Sequence, residues 1–216
     1  MNQTSIRHYQ ESVTVKASAE TLYDLVSDIT RTGEWSPVCT SCWWDDAVGP
    51  GQVGAGQIGA GQVGAGQVGA GQVGAWFTGR NDLPDRTWET RSQVVVADRG
   101  REFAWIVGGN FVRWGFSLTP ADTGTTVTES WQFLPGGIAM FEEKYGDGAQ
   151  VQISDRTQQA FDGIPKTLAA IKRIAESIAL VDGLKLTELM IKHRVGVQAA
   201  RRIEIVKIDE DFFSEE

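Results

Sequence analysis

The residue with the clearest potential for acid–base chemistry is Glu129, because it falls among large apolar side chains. Residues 126–133 alternate in polarity, so Glu129 shares one face of a predicted strand with Trp131 and Phe133. A carboxylate on such a face is costly to bury unless it is paired, and burial raises its pKa. Glu129 is therefore the candidate for any catalytic proton transfer, and no other residue is assigned a catalytic role.

Two interpretations of Glu129 follow from its position. It is either a polar anchor, or proton donor and acceptor, inside a cavity, or it lies near a rim, where water solvates it or an arginine such as Arg91 or Arg101 pairs with it. The sequence favours the rim position, since long charged side chains are seldom fully buried.

The two cysteines of the chain, Cys39 and Cys42, form a CxxC pair. Zinc needs a full set of ligands, but there is no second CxxC pair, and His8 and His193 are scattered along the sequence. A thioredoxin-like site places its first cysteine at a helix N-terminus, whereas this pair enters a predicted strand. We interpret the pair as two thiols near a pocket mouth and predict no metal and no cofactor.

The sequence does not contain the residue patterns of other common catalytic arrangements. With two histidines, one of them near the C-terminus, a Ser-His-Asp or Cys-His arrangement is disfavoured. The glycines of residues 51–75 do not form the GxxxxGK[ST] sequence that cradles phosphates. The motifs therefore leave open whether the protein is an enzyme.

Aromatic side chains follow the same alternation on three neighbouring predicted strands, 101–107, 111–119 and 124–134, and point to a shared interior. Such a stripe is either plain core or a ligand-binding wall, and a strongly curved sheet closed by one helix favours a ligand-sized cavity. With Trp35, the predicted ligand-binding residues are Phe103, Trp105, Trp114, Phe116, Glu129, Trp131 and Phe133.

The elements that would position these side chains follow a simple order. A strand at 5–16 precedes a helix capped by Ser18 and a second short helix at 30–35. Further strands are predicted at 40–46, 75–80, 86–97, 101–107, 111–119 and 124–134, separated by turn sequences rich in Gly, Asn and Asp. Short links between strands imply antiparallel pairing.

A Pro- and Gly-bounded connection at 135–147 then leads to a long helix that ends near residue 178, with a kink or restart at Pro165. The predicted fold class is α+β. A curved antiparallel sheet of about seven strands wraps around a long C-terminal helix, with two short helices after the first strand.

Residues 51–75 are five tandem pentapeptides of the type GQVGA. A period of five matches neither a strand nor a helix. Ordering two glycines in every five residues costs much entropy and buries little surface. We predict a loop insertion grown by tandem duplication, with a repetitive binding surface as the alternative.

The chain of 216 residues has a net charge of −8 and a pI near 4.9. Such acidity argues against nucleic acid and anionic lipid surfaces as partners. The sequence shows no signal peptide and no apolar run long enough to span a membrane. We therefore expect a cytoplasmic protein whose partner is a small hydrophobic molecule, and its oligomeric state stays open.

Five motifs in order resemble the SRPBCC superfamily of START-like, helix-grip proteins, and within it the polyketide cyclase/dehydrase-like family. They are ASAETLYDLVSD at 17–28, GEWSP at 33–37, GQVGAWFTGRN at 71–81, GREFAW at 100–105 and TTVTESW at 125–131. The resemblance covers residues 5–178 and implies a helix-grip domain over 1–178 with a hydrophobic cavity. Members of the family bind lipids, hormones or polyketides, and some guide cyclisation or dehydration of a bound chain.

The C-terminal appendage at 179–216 is similar to the end of Mrr-type restriction endonucleases, through IALVDGLKLTELM at 178–190 and IVKIDEDFF at 205–213. The catalytic part of that family has no counterpart here, so nuclease activity is not expected. The resemblance implies a strand-helix-strand remnant and, as a further hypothesis, an interaction related to DNA restriction.

Overall fold

A computed structural model describes residues 7–45 and 70–212 of the chain. Its strands run in the predicted order. The helices and strands are β1 His8–Val15, α1 Ala19–Ser27, a 3₁₀ helix Ile29–Glu34, β2 Cys39–Trp44, β3 Trp76–Leu83, β4 Arg86–Asp98, β5 Glu102–Val107, β6 Val112–Ala121, β7 Gly124–Phe133, α2 Pro135–Tyr145, a 3₁₀ turn Gly146–Gly148 and α3 Ala149–Phe212.

The seven strands form one antiparallel sheet in the order β1-β7-β6-β5-β4-β3-β2. Consecutive strands from β3 to β7 are joined by short turns and pair as a meander, and β2 pairs with β3 although a much longer segment separates them in sequence. The two short helices between β1 and β2 carry the chain from one edge of the sheet to the other. The α+β class, the seven-stranded sheet and the long C-terminal helix are thus confirmed.

Ser18 begins α1 as predicted, since its hydroxyl oxygen accepts a hydrogen bond from the Thr21 amide at 3.0 Å. The apolar face of α1 is buried, and so is the face of α3 that packs in the same core. The fully buried side chains include Leu22 and Leu25 of α1, Phe103 and Phe116 of the sheet, and Ile153, Ile164 and Ile171 of α3. This burial holds the helices and the sheet together.

Residues 135–147, predicted as a connection, instead contain helix α2. Pro135 begins this helix, where a missing amide hydrogen costs nothing. Ile138 and Phe141 bury its apolar side. The prediction was wrong because Gly136 and Gly137 disfavour a helix by themselves, and tertiary packing overrides that preference.

The predictions for the C-terminal part also need correction. The last helix does not end near residue 178 or restart at Pro165, but runs from Ala149 to Phe212 with Pro165 inside it. The strand-helix-strand expectation for the appendage is therefore wrong in the described residues. The chain divides into two compact units, Met1–Glu176 and Ser177–Glu216.

Most of the pentapeptide insertion lies outside the described residues, so its interpretation as a loop stays a prediction. Residues 70–74 form turns that lead into β3. Among the described residues, no helix combines the length and the apolar character needed to cross a bilayer.

Candidate functional site

A cavity of about 690 Å³ lies within the first unit, lined by residues of β2 to β7, of the two short helices that precede β2, and of α2 and α3. Ligand pockets in proteins usually measure about 300–1,000 Å³ and are mostly apolar. The strands supply one wall and the helices α2 and α3 supply residues such as Phe141, Ala160 and Ile164. The space is therefore large enough for a small organic molecule.

Three tryptophans form a row across the sheet wall of this cavity. Trp105 on β5 pairs in register with Trp114 on β6, which pairs in turn with Trp131 on β7. All three line the cavity, as do Phe133 and Trp35. The three indoles give this wall a large aromatic apolar area, and aromatic ligand rings pack favourably against such side chains.

Phe103 and Phe116 occupy the neighbouring row, in register with Glu129. Both phenylalanines are fully buried and neither lines the cavity. Phe116 packs edge-on against Trp35 with ring centres 5.5 Å apart, and Phe103 packs edge-on against Tyr23 at 6.3 Å. Their assignment as ligand-binding residues is thus corrected: they support the wall from within the core.

Glu129 lines the cavity with only 4% of its surface exposed. Its Oε2 atom has no hydrogen-bond partner among the described residues. Arg91, one of the partners considered for it, pairs instead with Asp45, Nε to Oδ2, at 2.6 Å. The rim interpretation of Glu129 is therefore wrong.

Burial raises the pKa of Glu129 well above the ordinary value for a glutamic acid. The raised pKa favours the protonated carboxyl group, which has a proton to donate and keeps oxygen atoms that can accept. Two further buried polar atoms without a partner in the described residues, Trp35 Nε1 and Arg86 Nε, belong to residues that line the same cavity. Three residues that each carry an unsatisfied buried polar atom thus line one cavity.

Basic side chains lie along another part of the wall. Arg86 and Arg156 both contact the carboxylate of Asp155, at 3.5 and 2.6 Å, and both line the cavity together with Lys144. Burial and the nearby charge of Arg86 lower the pKa of Arg156. This region gives the cavity polar, positively charged donors in addition to the Glu129 carboxyl.

Cys39 and Cys42 are free thiols that line the cavity as well, with their sulfur atoms 3.3 Å apart. Within the part of the chain that the structure describes, no group of three or more His, Cys, Asp and Glu side chains could hold a metal ion.

The sequence reasoning missed Arg86, Trp88, Tyr145 and Arg156, although each lines the cavity. A usable signal existed for Trp88, because Trp88, Thr90 and Ser92 alternate on β4 in the way that was applied to the other strands. Tyr145 and Arg156 belong to α2 and α3, whose arrangement over the sheet depends on distant contacts and cannot be derived from spacing.

Glu129→Gln is expected to raise the free energy of unfolding at neutral pH but to change it little in acid. Because its folded-state pKa is raised, the wild type keeps the proton in the folded state while the unfolded chain releases it. The wild type therefore loses stability as pH rises from the ordinary pKa of Glu, about 4.3, towards the folded-state pKa, at ~1.4 kcal/mol per pH unit.

Urea denaturation of both proteins at several pH values measures this difference. The stability advantage of Glu129→Gln should grow with rising pH. A difference that stays constant across the pH range would mean that folding does not raise the pKa of Glu129 and would contradict this prediction.

Comparison with known proteins adds three findings. A family model described as polyketide cyclase / dehydrase and lipid transport matches residues 7–150. The solution NMR structure of the Polyketide_cyc-like protein Cgl2372 from Corynebacterium glutamicum is 46% identical and covers 78% of this chain and 91% of its own, with a TM-score of 0.52. No curated protein matches this chain.

More distant structures share the fold. The di-domain ARO/CYC protein StfQ, from the steffimycin biosynthetic pathway, is 13% identical with a TM-score of 0.53, and the match covers 80% of this chain and 51% of StfQ. The protein NE0264 from Nitrosomonas europaea is 10% identical with a TM-score of 0.52, covering 81% of this chain and 97% of its own.

The similarity of residues 179–216 to a nuclease stays a prediction, since the family model ends at residue 150.

Proposed function

Because this chain belongs to the polyketide cyclase/dehydrase and lipid transport family of SRPBCC proteins, we propose that its cavity binds a small hydrophobic molecule that also carries oxygen atoms. The family supports the first half of this proposal. The second half comes from the polar atoms of this cavity. A flat aromatic or polyketide-like molecule fits the proposal better than a simple alkyl chain.

The observation that carries the proposal is the coincidence of an apolar cavity with three unsatisfied buried polar atoms. Leaving one such atom without a partner costs about 1–3 kcal/mol. Trp35 Nε1 and Arg86 Nε each need an acceptor, and a protonated Glu129 carboxyl can donate or accept. A ligand with carbonyl or hydroxyl oxygens would supply these partners while its rings cover the indoles of Trp105, Trp114 and Trp131.

Native mass spectrometry of the purified protein tests the proposal directly, because a ligand that satisfies these atoms is expected to co-purify. Titration followed by tryptophan fluorescence then ranks the ligand classes, aromatic polyketides against saturated fatty acids of similar size. We expect aromatic polyketides to quench the emission strongly, since three tryptophans line the cavity in a row, and to bind at least ~10-fold more tightly than the fatty acids, a difference of about 1.4 kcal/mol.

The absence of any bound molecule, together with a fluorescence that neither class changes, would contradict binding. Equal affinity for aromatic polyketides and fatty acids would contradict the role of the polar atoms. It would still be consistent with a cavity that binds hydrophobic molecules. The two parts of the proposal can therefore fail separately.

A second candidate function is catalysis on the bound molecule, as a cyclase or dehydratase. The observation that favours it is the buried carboxyl of Glu129 on the cavity wall, because burial raises its pKa and a general acid or base works best when its pKa approaches the operating pH. Cyclisation and dehydration of a polyketide-like chain both require proton transfer at carbon or oxygen. A polyketide-like ligand is therefore compatible with both candidate functions, binding alone and catalysis. A measurement of turnover distinguishes between them.

A further inference from the structure

The thiols of Cys39 and Cys42 face the same side of β2, which their spacing alone would not allow. In a regular strand, residues three positions apart point to opposite faces. Cys39 pairs with Asn81 and Ser41 pairs with Arg80, so Thr40 is an extra residue in β2 relative to β3. This bulge shifts the alternation by one residue and brings both sulfur atoms to the cavity face.

Gly79 on β3 provides the space that the two sulfur atoms occupy. It lies opposite Cys42 in the register of β2 and β3. A Cβ atom at this position would lie 3.2 Å from the sulfur of Cys39 and 3.2 Å from that of Cys42. The bulge and the glycine together create a site in which the two sulfur atoms lie 3.3 Å apart.

We propose that the Cys39–Cys42 pair is an oxidation site, at which a hydroperoxide converts the two thiols into an intramolecular disulfide on the wall of the cavity. The sulfur atoms are already in contact, so closing the bond needs little rearrangement of β2. Cys39 is only partly buried, and both residues line the cavity, which gives a small oxidant a route to them. The proposal does not depend on what the cavity binds.

Cys42 is the attacking residue in this reaction. The hydrogen bond with Cys39 lowers the pKa of Cys42, while the pKa of Cys39 is raised. The Cys42 thiolate attacks one oxygen of hydrogen peroxide, the O–O bond breaks, and hydroxide leaves and takes a proton to form water. The product at Cys42 is a sulfenic acid.

Cys39 then resolves this intermediate. Its sulfur attacks the sulfur of Cys42, the S–S bond forms, the S–O bond breaks, and the hydroxide released takes the proton of Cys39 as a second water. Overall, two thiols and one hydrogen peroxide give one disulfide and two waters, so the protein is oxidised by two electrons and the peroxide is reduced by two.

The test uses the full chain, reduced, purified and treated with hydrogen peroxide in its folded state. Since Cys39 and Cys42 are the two cysteines of the sequence, intact mass spectrometry and thiol titration report on this site alone. We expect the monomer to lose the mass of two hydrogen atoms and both free thiols, with a peptide map that shows the Cys39–Cys42 bond. A thiol reductant should reverse the change.

Single variants identify the order of attack. In Cys39→Ser, dimedone is expected to trap a sulfenic acid at Cys42, because no resolving thiol is present. In Cys42→Ser, Cys39 is expected to react more slowly than Cys42 does in Cys39→Ser, because burial still raises the pKa of the Cys39 thiol, whereas the hydroxyl introduced by Cys39→Ser can still donate a hydrogen bond to Cys42. If Cys39 reacts as fast as Cys42, the assigned order is overturned.

The proposal is overturned if both thiols remain titratable after peroxide treatment of the folded protein. It is also overturned if oxidation gives only intermolecular dimers or sulfinic acids. A disulfide that forms only after urea unfolds the chain would be a property of the flexible CxxC segment, and this outcome too would refute a site built by the fold.

Discussion

Ala160→Phe is expected to weaken ligand binding by about 70-fold and to leave the domain folded. Ala160 lies on α3, is 2% exposed and lines the cavity, so a phenyl ring at this position occupies space that the ligand needs. Displacing about 100 Å² of buried apolar ligand surface at ~25 cal/mol/Å² costs ~2.5 kcal/mol, which corresponds to the 70-fold loss. Isothermal titration with a ligand found by native mass spectrometry measures the effect.

Ala169→Phe is the matched control, since Ala169 lies on the exposed side of the same helix and does not line the cavity. It adds the same ring to the same helix and should leave the affinity unchanged. Equal affinities of wild type and Ala160→Phe, with both proteins folded by circular dichroism, would show that the ligand binds elsewhere.

A second pair of variants keeps this test decisive if Ala160→Phe does not fold. Gly163 also lines the cavity, and a Cβ at this position meets only Pro37 Cγ, at 3.8 Å, an ordinary contact. Gly163→Ala should stabilise α3 by about 1 kcal/mol, because glycine disfavours a helix interior, and should preserve binding. Gly163→Leu should keep most of that gain but weaken binding.

The sequence predicted the sheet well because each strand is separated from the next by residues with a strong turn preference. Asp98-Arg99-Gly100 and Gly108-Gly109-Asn110 have this character, and Gly100, Gly108 and Gly109 all adopt positive φ. Alternation within the strands then placed Trp105, Trp114 and Trp131 on one face. Local chemistry was sufficient here because turns and strand faces are decided within a few residues.

Alternation could not separate the cavity wall from the packed core. Phe103 and Phe116 share the face of Trp105 and Trp114, but they lie one row further along the strands, where Tyr23 and Trp35 pack against them. Which row is covered depends on where the helices between β1 and β2 lie on the sheet. Residue spacing predicts on which face of the sheet a side chain lies. It does not predict which residues of other elements pack against that side chain.

Helix α2 was missed for a related reason. Gly136 and Gly137 suggest a loop, but a Cβ at Gly137 would clash with the Phe111 carbonyl and one at Gly136 with the Asn110 side chain. These glycines permit the start of α2 to approach the β5–β6 turn closely. This role of the two glycines can be recognised only when the positions of α2 and the β5–β6 turn are known. The cavity residues Met140, Phe141 and Tyr145 lie on α2, so their positions depend on this close approach.

If the domain is catalytic, Glu129→Gln is expected to lower turnover by about 10²–10⁴-fold and to change ligand affinity only a few-fold. The range is that of a positioned side chain that transfers a proton in the transition state. Glutamine has nearly the same shape as a protonated glutamic acid and still offers a donor and an acceptor, so the bound ligand keeps its polar contact. The glutamine side chain cannot exchange a proton at physiological pH. The substitution therefore distinguishes a role of Glu129 in proton transfer from a role in holding the ligand. Product formation from the co-purified molecule, or from a reactive polyketide chain, measures the loss.

Glu102→Gln provides the control for this experiment, because Glu102 carries the same group on the same sheet but pairs with Arg113 at 2.6 Å and does not line the cavity. Its turnover should match that of the wild type. A wild-type rate in Glu129→Gln would remove Glu129 from the mechanism and leave it as an anchor for an oxygen atom of the ligand. An amide in place of a protonated carboxyl preserves the contact and removes only the mobile proton, so a loss of turnover without a loss of affinity assigns proton transfer to Glu129.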